Sequence, residues 1–97
     1  MRGKTGIYRF RLFVAGDAPN SEQAIANLDV ICRAHLANRH EVEIVDVLRQ
    51  PGRALEDNII MTPTLVKLAP GPLQRIVGTL SYTQPVMECI GLHERAA

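Results

Sequence analysis

The sequence predicts an α/β domain built around a mixed four-stranded sheet, with its elements in the order β-α-β-α-β-β-α. Apolar residues alternate along positions 8–14, as they do in a strand that buries one face. Positions 25–36 repeat apolar residues at the spacing of one helix face. Only positions 70–72 separate the last two predicted strands, Thr64–Ala69 and Leu73–Gly78, which allows an antiparallel hairpin but not a parallel crossover.

The first strand is predicted over positions 7–15, and the Gly16–Pro19 segment interrupts it. The first helix is then expected to run from about Ser21 to Ala37. Asn20 is the expected N-cap, with Gln23 three residues later as its capping-box partner. The apolar face of this helix is predicted to consist of Ile25, Leu28, Ile31, Cys32, His35 and Leu36.

The second predicted strand is rich in β-branched residues, namely Val42, Ile44, Val45 and Val47. Because this run is apolar on both faces, a central and parallel position in the sheet is expected. A short helix is predicted at about positions 53–59, and it would turn Leu55, Ile59 and Ile60 inward. A right-handed crossover in the first β-α-β unit places helices on both faces of the sheet.

The last helix is predicted after Gly78, where either Ser81 or Thr83 can cap it and Pro85 suits its first turn. Its apolar side would pack on the sheet through Val86, Met87, Ile90 and Leu92.

The composition indicates one small globular domain over residues 1–97, with 46% hydrophobic residues and a net charge of +1. This balance gives no electrostatic case for nucleic acid or an anionic membrane, and the apolar runs are too short to span a bilayer. Cys32 and Cys89 stand alone, which suits a reducing cytoplasm. His35, His40 and His93 have no metal-ligand spacing, so no metal, cofactor or catalytic site is expected.

The run Thr62-Pro63-Thr64-Leu65 opens an apolar strand in the way that a cis-proline does in thioredoxin-type folds. A cis peptide bond before Pro63 is therefore predicted, with a structural role. In redox enzymes of that fold, this proline faces a Cys-x-x-Cys pair after the first strand. Here positions 15–21 contain no cysteine, and the thiolate is the nucleophile of that chemistry. The contrast favours binding over catalysis, although a redox protein stays open as a weaker alternative.

Four blocks, in the same order, resemble the KaiB family of circadian clock proteins. They read VAGDAPNS at 14–21, VDVLRQP at 45–51, EDNIIMTPTL at 56–65 and PLQRIVGTLS at 72–81. The resemblance covers roughly positions 8–81, and the number and order of the blocks make it specific.

The resemblance implies a non-enzymatic regulator that binds the ring of KaiC, a hexameric ATPase and kinase. A KaiA-like protein or a histidine kinase would be further partners. It also implies two folds: a thioredoxin-like monomer that binds the ring, and an alternative dimer- or tetramer-forming state. An adaptor in stress signalling, unrelated to a clock, remains the alternative function because a fold does not determine its partner.

In KaiB-like proteins the second helix and its neighbouring loops face the ATPase ring. The charged residues nominated for partner contact on this basis are Arg49, Arg53, Glu56, Asp57, Lys67 and Arg75. A solvated face is the competing interpretation for each of them. Asp17 in the first loop could receive a basic group of a partner or form an Asx turn. Arg9 and Arg11 could pair with Glu43 across strands, or meet a second partner.

The chain departs from the family pattern at Gly71, which interrupts a proline run, and along the tail at 82–97. Positions 89–94 make a poor strand because Gly91 weakens it and little β-branched character remains. The same segment has a reasonable apolar face as a helix. We therefore hypothesise that the thioredoxin-like state is favoured even in the free protein.

Overall fold

In a computed structural model, which describes residues 6–91, the chain forms the predicted order of elements. Their bounds are β1 Tyr8–Val14, α1 Pro19–His35, β2 His40–Asp46, α2 Pro51–Glu56, β3 Thr64–Ala69, β4 Gln74–Val77 and α3 Gln84–Cys89. The four strands lie in the order β2-β1-β3-β4. β2 is parallel to β1, whereas β3 is antiparallel to both β1 and β4. The mixed sheet and the terminal hairpin are therefore confirmed.

The central position predicted for β2 is wrong, because β2 lies at an edge of the sheet. β3 pairs with the free side of β1, which leaves β1 and β3 as the central strands. Val45 is fully buried, but Val42 and Ile44 remain exposed on the side that faces α1. The apolar run of β2 thus reflects its contacts at the sheet edge rather than burial on both faces.

The larger core lies between one face of the sheet and helices α1 and α3. Phe10, Leu12 and Val14 contribute from β1, and Leu65 contributes from β3. Alternate residues of β1 point to this face, as the pleat of a strand requires. The helical and loop residues that complete the core are Ala24, Leu28, Ile31, Cys32, Leu36, Leu80, Val86 and Ile90.

A smaller core lies on the opposite face, where α2 is found. Its buried members are Phe13, Val45 and Val66, one from each of three adjacent strands. Val47, Ile59 and Leu68 pack against them and are only partly buried. This face therefore has little apolar material with which to hold a helix.

The start of α1 differs from the prediction. Its N-cap is Ala18 with Pro19 in the first turn, and no side chain caps it, so the predicted capping box is wrong. Proline suits the first helical position because it has no N–H to leave unpaired. Ser21 instead turns inward, where its Oγ accepts the backbone N–H of Ala15 at 3.0 Å. The predicted inward position of His35 is also wrong, since this residue is exposed.

The second helix is shorter than predicted and turns a different face outward. Ile59 is partly buried as expected, but Leu55 and Ile60 are exposed rather than inward. In α3, Pro85 lies in the first turn as predicted, while Thr83 is the N-cap without a side-chain bond. Val86 and Ile90 are buried and Met87 is partly buried, whereas the predicted contribution of Leu92 lies outside the described residues.

The peptide bond between Thr62 and Pro63 is cis, as predicted, and Pro63 is buried at the start of β3. The bonds before Pro70 and Pro72 in the β3–β4 turn are also cis.

Candidate docking surface

The loops that could form a site meet at one end of the sheet, beyond the carboxyl ends of β1 and β2. The β1–α1 loop and the β2–α2 loop follow the carboxyl ends of two parallel strands. The loop that contains Pro63 enters β3. Because β3 runs antiparallel to β1, this loop lies at the same end of the sheet. Open α/β sheets place their binding sites outside the carboxyl ends of parallel strands. We therefore expect the functional site at this end of the sheet.

Asp46, at the end of β2, fixes the first two of these loops. Its Oδ1 accepts the backbone N–H of Gly16 and that of Leu48, each at 2.9 Å. Both bonds lower the pKa of the Asp46 carboxyl, and the bond from Gly16 has the larger effect. Gly16 has a φ of +56°, and a Cβ there would approach Leu48 Cδ1 to 3.3 Å, so glycine suits this position. Asp17 is exposed, and the loop-organising carboxylate is Asp46.

Four large apolar side chains are exposed along the segment from β2 to β3. The exposed fractions are 71% for Leu48, 78% for Leu55, 93% for Ile60 and 60% for Met61. We call these four side chains the α2 surface. Beside it, a shallow groove of about 210 Å³ is lined by Asn58, Ile59, Ile60, Met61, Thr64, Arg75 and Val77. Apolar groups concentrated in this way on a small domain mark a candidate docking site.

Two of the nominated charged residues, Arg49 and Glu56, border the α2 surface in sequence and are exposed. Neither side chain forms a hydrogen bond or an ion pair with another residue in the part of the chain that the structure describes. Both are therefore free to meet a partner.

Arg53 and Asp57 belong instead to a chain of alternating charges that ties α2 to the sheet. One terminal nitrogen of Arg53 contacts Glu43 Oε1 at 2.9 Å and Oε2 at 3.0 Å. Arg11 Nε donates to the same Glu43 at 2.8 Å, and another Arg11 nitrogen reaches Asp57 at 3.0 Å. The predicted cross-strand pair of Arg11 with Glu43 is thus confirmed, while Arg9 pairs with Glu41 at 3.3 Å.

This charge network shifts the pKa values of Glu43 and Arg11. The bonds from Arg11 and then Arg53 lower the pKa of Glu43, and the bond to Glu43 is the largest factor that raises the pKa of Arg11. Opposite charges within hydrogen-bonding distance favour the charged form of each group. The network therefore favours the ionised forms of Glu43 and Arg11.

Arg75 reaches the end of α2 from β4. Its guanidinium donates to the backbone carbonyl of Asn58 at 3.0 Å and to that of Asp57. The Arg75 residue as a whole remains exposed. It is therefore both accessible and committed to an internal contact.

Lys67 does not lie at the surface, contrary to its nomination for partner contact. The residue is 4% exposed, and its Nζ donates to the backbone carbonyl of Pro70 at 2.7 Å. It follows Leu65 on the same side of β3, which is the side of the larger core. A partner cannot reach this ammonium group in the present fold.

The two thiols, those of Cys32 and Cys89, are buried, and the pKa of each is raised. Burial, with a smaller contribution from Asp29, raises the pKa of Cys32 to about 11, and burial also raises the pKa of Cys89. Within residues 6–91 no group of three His, Cys, Asp or Glu side chains is placed to hold a metal ion. His40 Nδ1 contacts the Leu36 carbonyl at 2.8 Å, and His93 lies outside the described residues. No helix in the described part of the chain has the length and apolarity to cross a membrane.

Sequence reasoning missed the exposed apolar residues, the role of Asp46 and the bond from Arg11 to Asp57. The run Ile59-Ile60-Met61 directly before Thr62-Pro63 carried a signal, since so short a loop cannot bury three consecutive large side chains. Asn58 carried another, because asparagine tolerates the positive φ of 56° that turns the chain there.

Comparison with known proteins places the chain among clock proteins. The KaiB domain model matches residues 11–91. Circadian clock protein KaiB3 of Synechocystis sp. is 51% identical over 77 residues, which are 79% of this chain and 76% of that protein. Circadian clock oscillator protein KaiB of Prochlorococcus marinus subsp. pastoris is 42% identical over 85 residues, which are 88% of this chain and 78% of that protein.

Similar solved structures show the same fold. The N-terminal domain of Synechococcus elongatus SasA has a TM-score of 0.75 at 22% identity, over 95% of this chain and 88% of that one. Chloroplastic thioredoxin z has a TM-score of 0.73 at 24% identity, over 88% of this chain and 76% of that one. The fold is therefore thioredoxin-like.

Proposed function

The chain belongs to the KaiB family of circadian clock proteins, and we propose that it is a non-enzymatic regulator that docks on a KaiC-type hexameric ATPase ring through its α2 surface. The observation that carries this proposal is the exposure of Leu48, Leu55, Ile60 and Met61. They lie along the segment that follows the carboxyl end of β2, and open α/β sheets place their binding sites outside such strand ends. Arg49 and Glu56, which make no internal side-chain contact among the described residues, would add specificity at the rim.

A binding role accounts for the chemistry of the site better than catalysis does. The β1–α1 loop carries no cysteine, and both thiols of the chain are buried with raised pKa values. A redox enzyme of this fold needs an accessible thiolate at that loop. We accordingly propose a cytoplasmic regulator that acts as a monomer in this fold. A KaiA-like protein or a histidine kinase would be its further partners, and the family's alternative dimer or tetramer would be a minor state.

The first test is comigration of the purified protein with a KaiC-type ATPase hexamer from the same organism in size-exclusion chromatography, in ATP and in ADP. We expect prompt comigration in at least one nucleotide, because the α2 surface is already formed in this fold. Comigration only after hours would mean that most free molecules occupy another state. No comigration in either nucleotide would contradict the ring as the partner and favour an adaptor that serves another signalling system.

A pair of variants tests the surface itself. Leu55→Gln replaces an exposed apolar side chain near the end of α2 with a polar one of similar size, and we expect it to weaken ring binding about tenfold or more. Val30→Gln is the matched control, since Val30 is also exposed but lies on α1. Equal loss of binding in both variants, or in neither, would contradict docking through α2.

A further inference from the structure

Helix α2, which carries Leu55 of the α2 surface and lies between Leu48 and Ile60 in the chain, is held on the sheet by polar contacts. α2 has six residues and none of them is buried. Ile59, just after the helix, is the nearest residue that packs on the smaller core, and it is only partly buried. A helix this short is not stable by itself in water. Its orientation must therefore come from the bonds that reach it from the strands.

Those bonds act on α2 at two places. Near the start, Arg53 is tied to Glu43 of β2, and Glu43 is tied in turn to Arg11 of β1. At the end, the Asp57 side chain is tied to Arg11, while Arg75 of β4 contacts the carbonyls of Asp57 and Asn58. Three strands of the sheet therefore contribute one charged side chain each.

Of these contacts, that of Arg75 is the one best suited to fix the orientation of α2. The last carbonyls of a helix have no partner within the helix, and Asp57 is the C-cap of α2. The guanidinium donates to two successive carbonyls through two different nitrogens, so it restrains rotation as well as distance. Its positive charge also lies at the negative end of the helix dipole. Immediately beyond this point the chain turns at Asn58 and presents Ile60 and Met61.

We propose that Arg75 is a positioning residue for partner docking, which holds the C-terminal end of α2 so that Leu55, Ile60 and Met61 are presented together before the partner arrives. The proposal rests on the proposed function, since it assigns a role within the same docking surface. A helix held in place before binding spares the complex the cost of ordering it. We call the contact of Arg75 with the Asp57 and Asn58 carbonyls the clamp. Its loss lowers the fraction of molecules that are ready to bind, and the apparent dissociation constant rises by the same factor.

The test compares wild type, Arg75→Gln and Arg75→Lys, with Arg33→Gln as the control. Arg33 is an arginine of the same charge on α1, paired with Asp29 at an exposed site. Amide hydrogen exchange of the free protein reads the clamp without any partner. The amides of Asp57, Asn58 and Ile59 close the end of α2, and the amides of β1 and β3 report global stability. Affinity for the purified KaiC-type hexamer is then measured for each variant.

We expect Arg75→Gln to remove most of the protection of the 57–59 amides and to leave β1 and β3 unchanged. Ring binding should weaken by the factor by which the ordered fraction of α2 falls. Arg75→Lys retains the charge but cannot bridge two carbonyls in the same way, so it should fall well short of wild type in both measurements. Arg33→Gln should match wild type in both.

Other results would overturn the proposal. Weaker binding with unchanged protection would mean that Arg75 contacts the partner directly. Lost protection with unchanged binding would mean that the orientation of α2 does not matter to docking. If wild type itself does not bind the hexamer, the proposed function fails, and the exchange measurement alone still decides the clamp: lost protection in Arg75→Gln supports it, and unchanged protection refutes it.

Discussion

Lys67 is the one lysine or arginine within residues 6–91 that is buried. Its stem crosses the larger core side of β3, and its Nζ satisfies the Pro70 carbonyl in the β3–β4 turn. Truncation to alanine would remove the packed stem and leave that carbonyl without its donor. We expect Lys67→Ala to lower the free energy of unfolding by about 1–3 kcal/mol in urea denaturation.

The control for that prediction is Arg49→Ala, which removes an exposed side chain and should change the free energy of unfolding by no more than about 0.5 kcal/mol. We also expect Lys67→Ala molecules that remain folded to bind the ring as wild type does. Unchanged stability together with weaker binding would return Lys67 to the docking surface.

Reactivity of the two thiols is a second property that belongs to single residues. With its pKa raised to about 11, Cys32 is ionised in only about one molecule in a thousand at pH 8, and the thiolate is the reactive form. We expect iodoacetamide to label neither Cys32 nor Cys89 appreciably in the native protein at pH 8, and to label both after denaturation. The reference is a thiol introduced by Ala26→Cys on the exposed side of α1. Native thiols that react as fast as this reference would show that the core opens readily.

At the scale of the element, the attachment of α2 should depend on pH through Glu43. Hydrogen bonds from Arg11 of β1 and Arg53 of α2 lower the pKa of this carboxyl in the folded state. The ionised carboxylate therefore stabilises the fold at neutral pH. That contribution is lost as the pH falls through the lowered pKa, where the group is protonated in both the folded and unfolded states.

We accordingly expect Glu43→Gln to be less stable than wild type at pH 7 by about 1 kcal/mol or less, because the Glu43 side chain is 46% exposed. The difference should shrink as the pH falls below the ordinary pKa of glutamate, and it should vanish at an acidic pH below the lowered pKa of the folded state. Urea denaturation at both pH values measures it, with Glu56→Gln as the unpaired control. A difference of equal size at both pH values would show that packing, rather than charge, is responsible.

The elements that sequence predicts best are those with strong local boundaries. β3 was predicted at its observed bounds because Pro63 and Pro70 bracket a short segment that contains Leu65, Val66 and Leu68. The edge position of β2 was not predictable in this way, since strand order depends on which side of β1 receives β3. The capping box at Asn20 failed because Pro19 begins α1 earlier.

Burial at the candidate site was mispredicted for a related reason. Apolar periodicity predicts an inward face, yet Leu55 and Ile60 point outward. Residues that serve a docking surface break the rule that large apolar side chains are buried, so such failures are expected at functional sites. The charges were divided by tertiary geometry alone: Arg49 and Glu56 remain free, whereas Arg53, Asp57 and Arg75 hold α2. Nothing in their local sequence separates the two groups.

At the scale of the whole molecule, α3 completes the larger core. Val86 and Ile90 are buried against the sheet, and the Tyr8 hydroxyl donates to the Ile90 carbonyl at 3.1 Å, which joins the first strand to the end of the last helix. Asn27 and Gln23 of α1 also bond to Thr79 and Ser81 in the loop that leads to α3. A rearrangement that converted this segment into a strand would have to uncover the core and break these long-range bonds together.

We therefore expect the free protein to occupy the thioredoxin-like state, with helical secondary chemical shifts over Gln84–Cys89 in NMR spectra and the mass of a monomer in light scattering. Gly91, at a φ of +82° directly after the helix, adds to this expectation because glycine ends helices readily and weakens strands. Strand-like shifts in this segment, or a dimer or tetramer mass at micromolar concentration, would contradict it. In that case the α2 surface would form only in a minority of free molecules, and ring binding would become slow because those molecules must accumulate before docking.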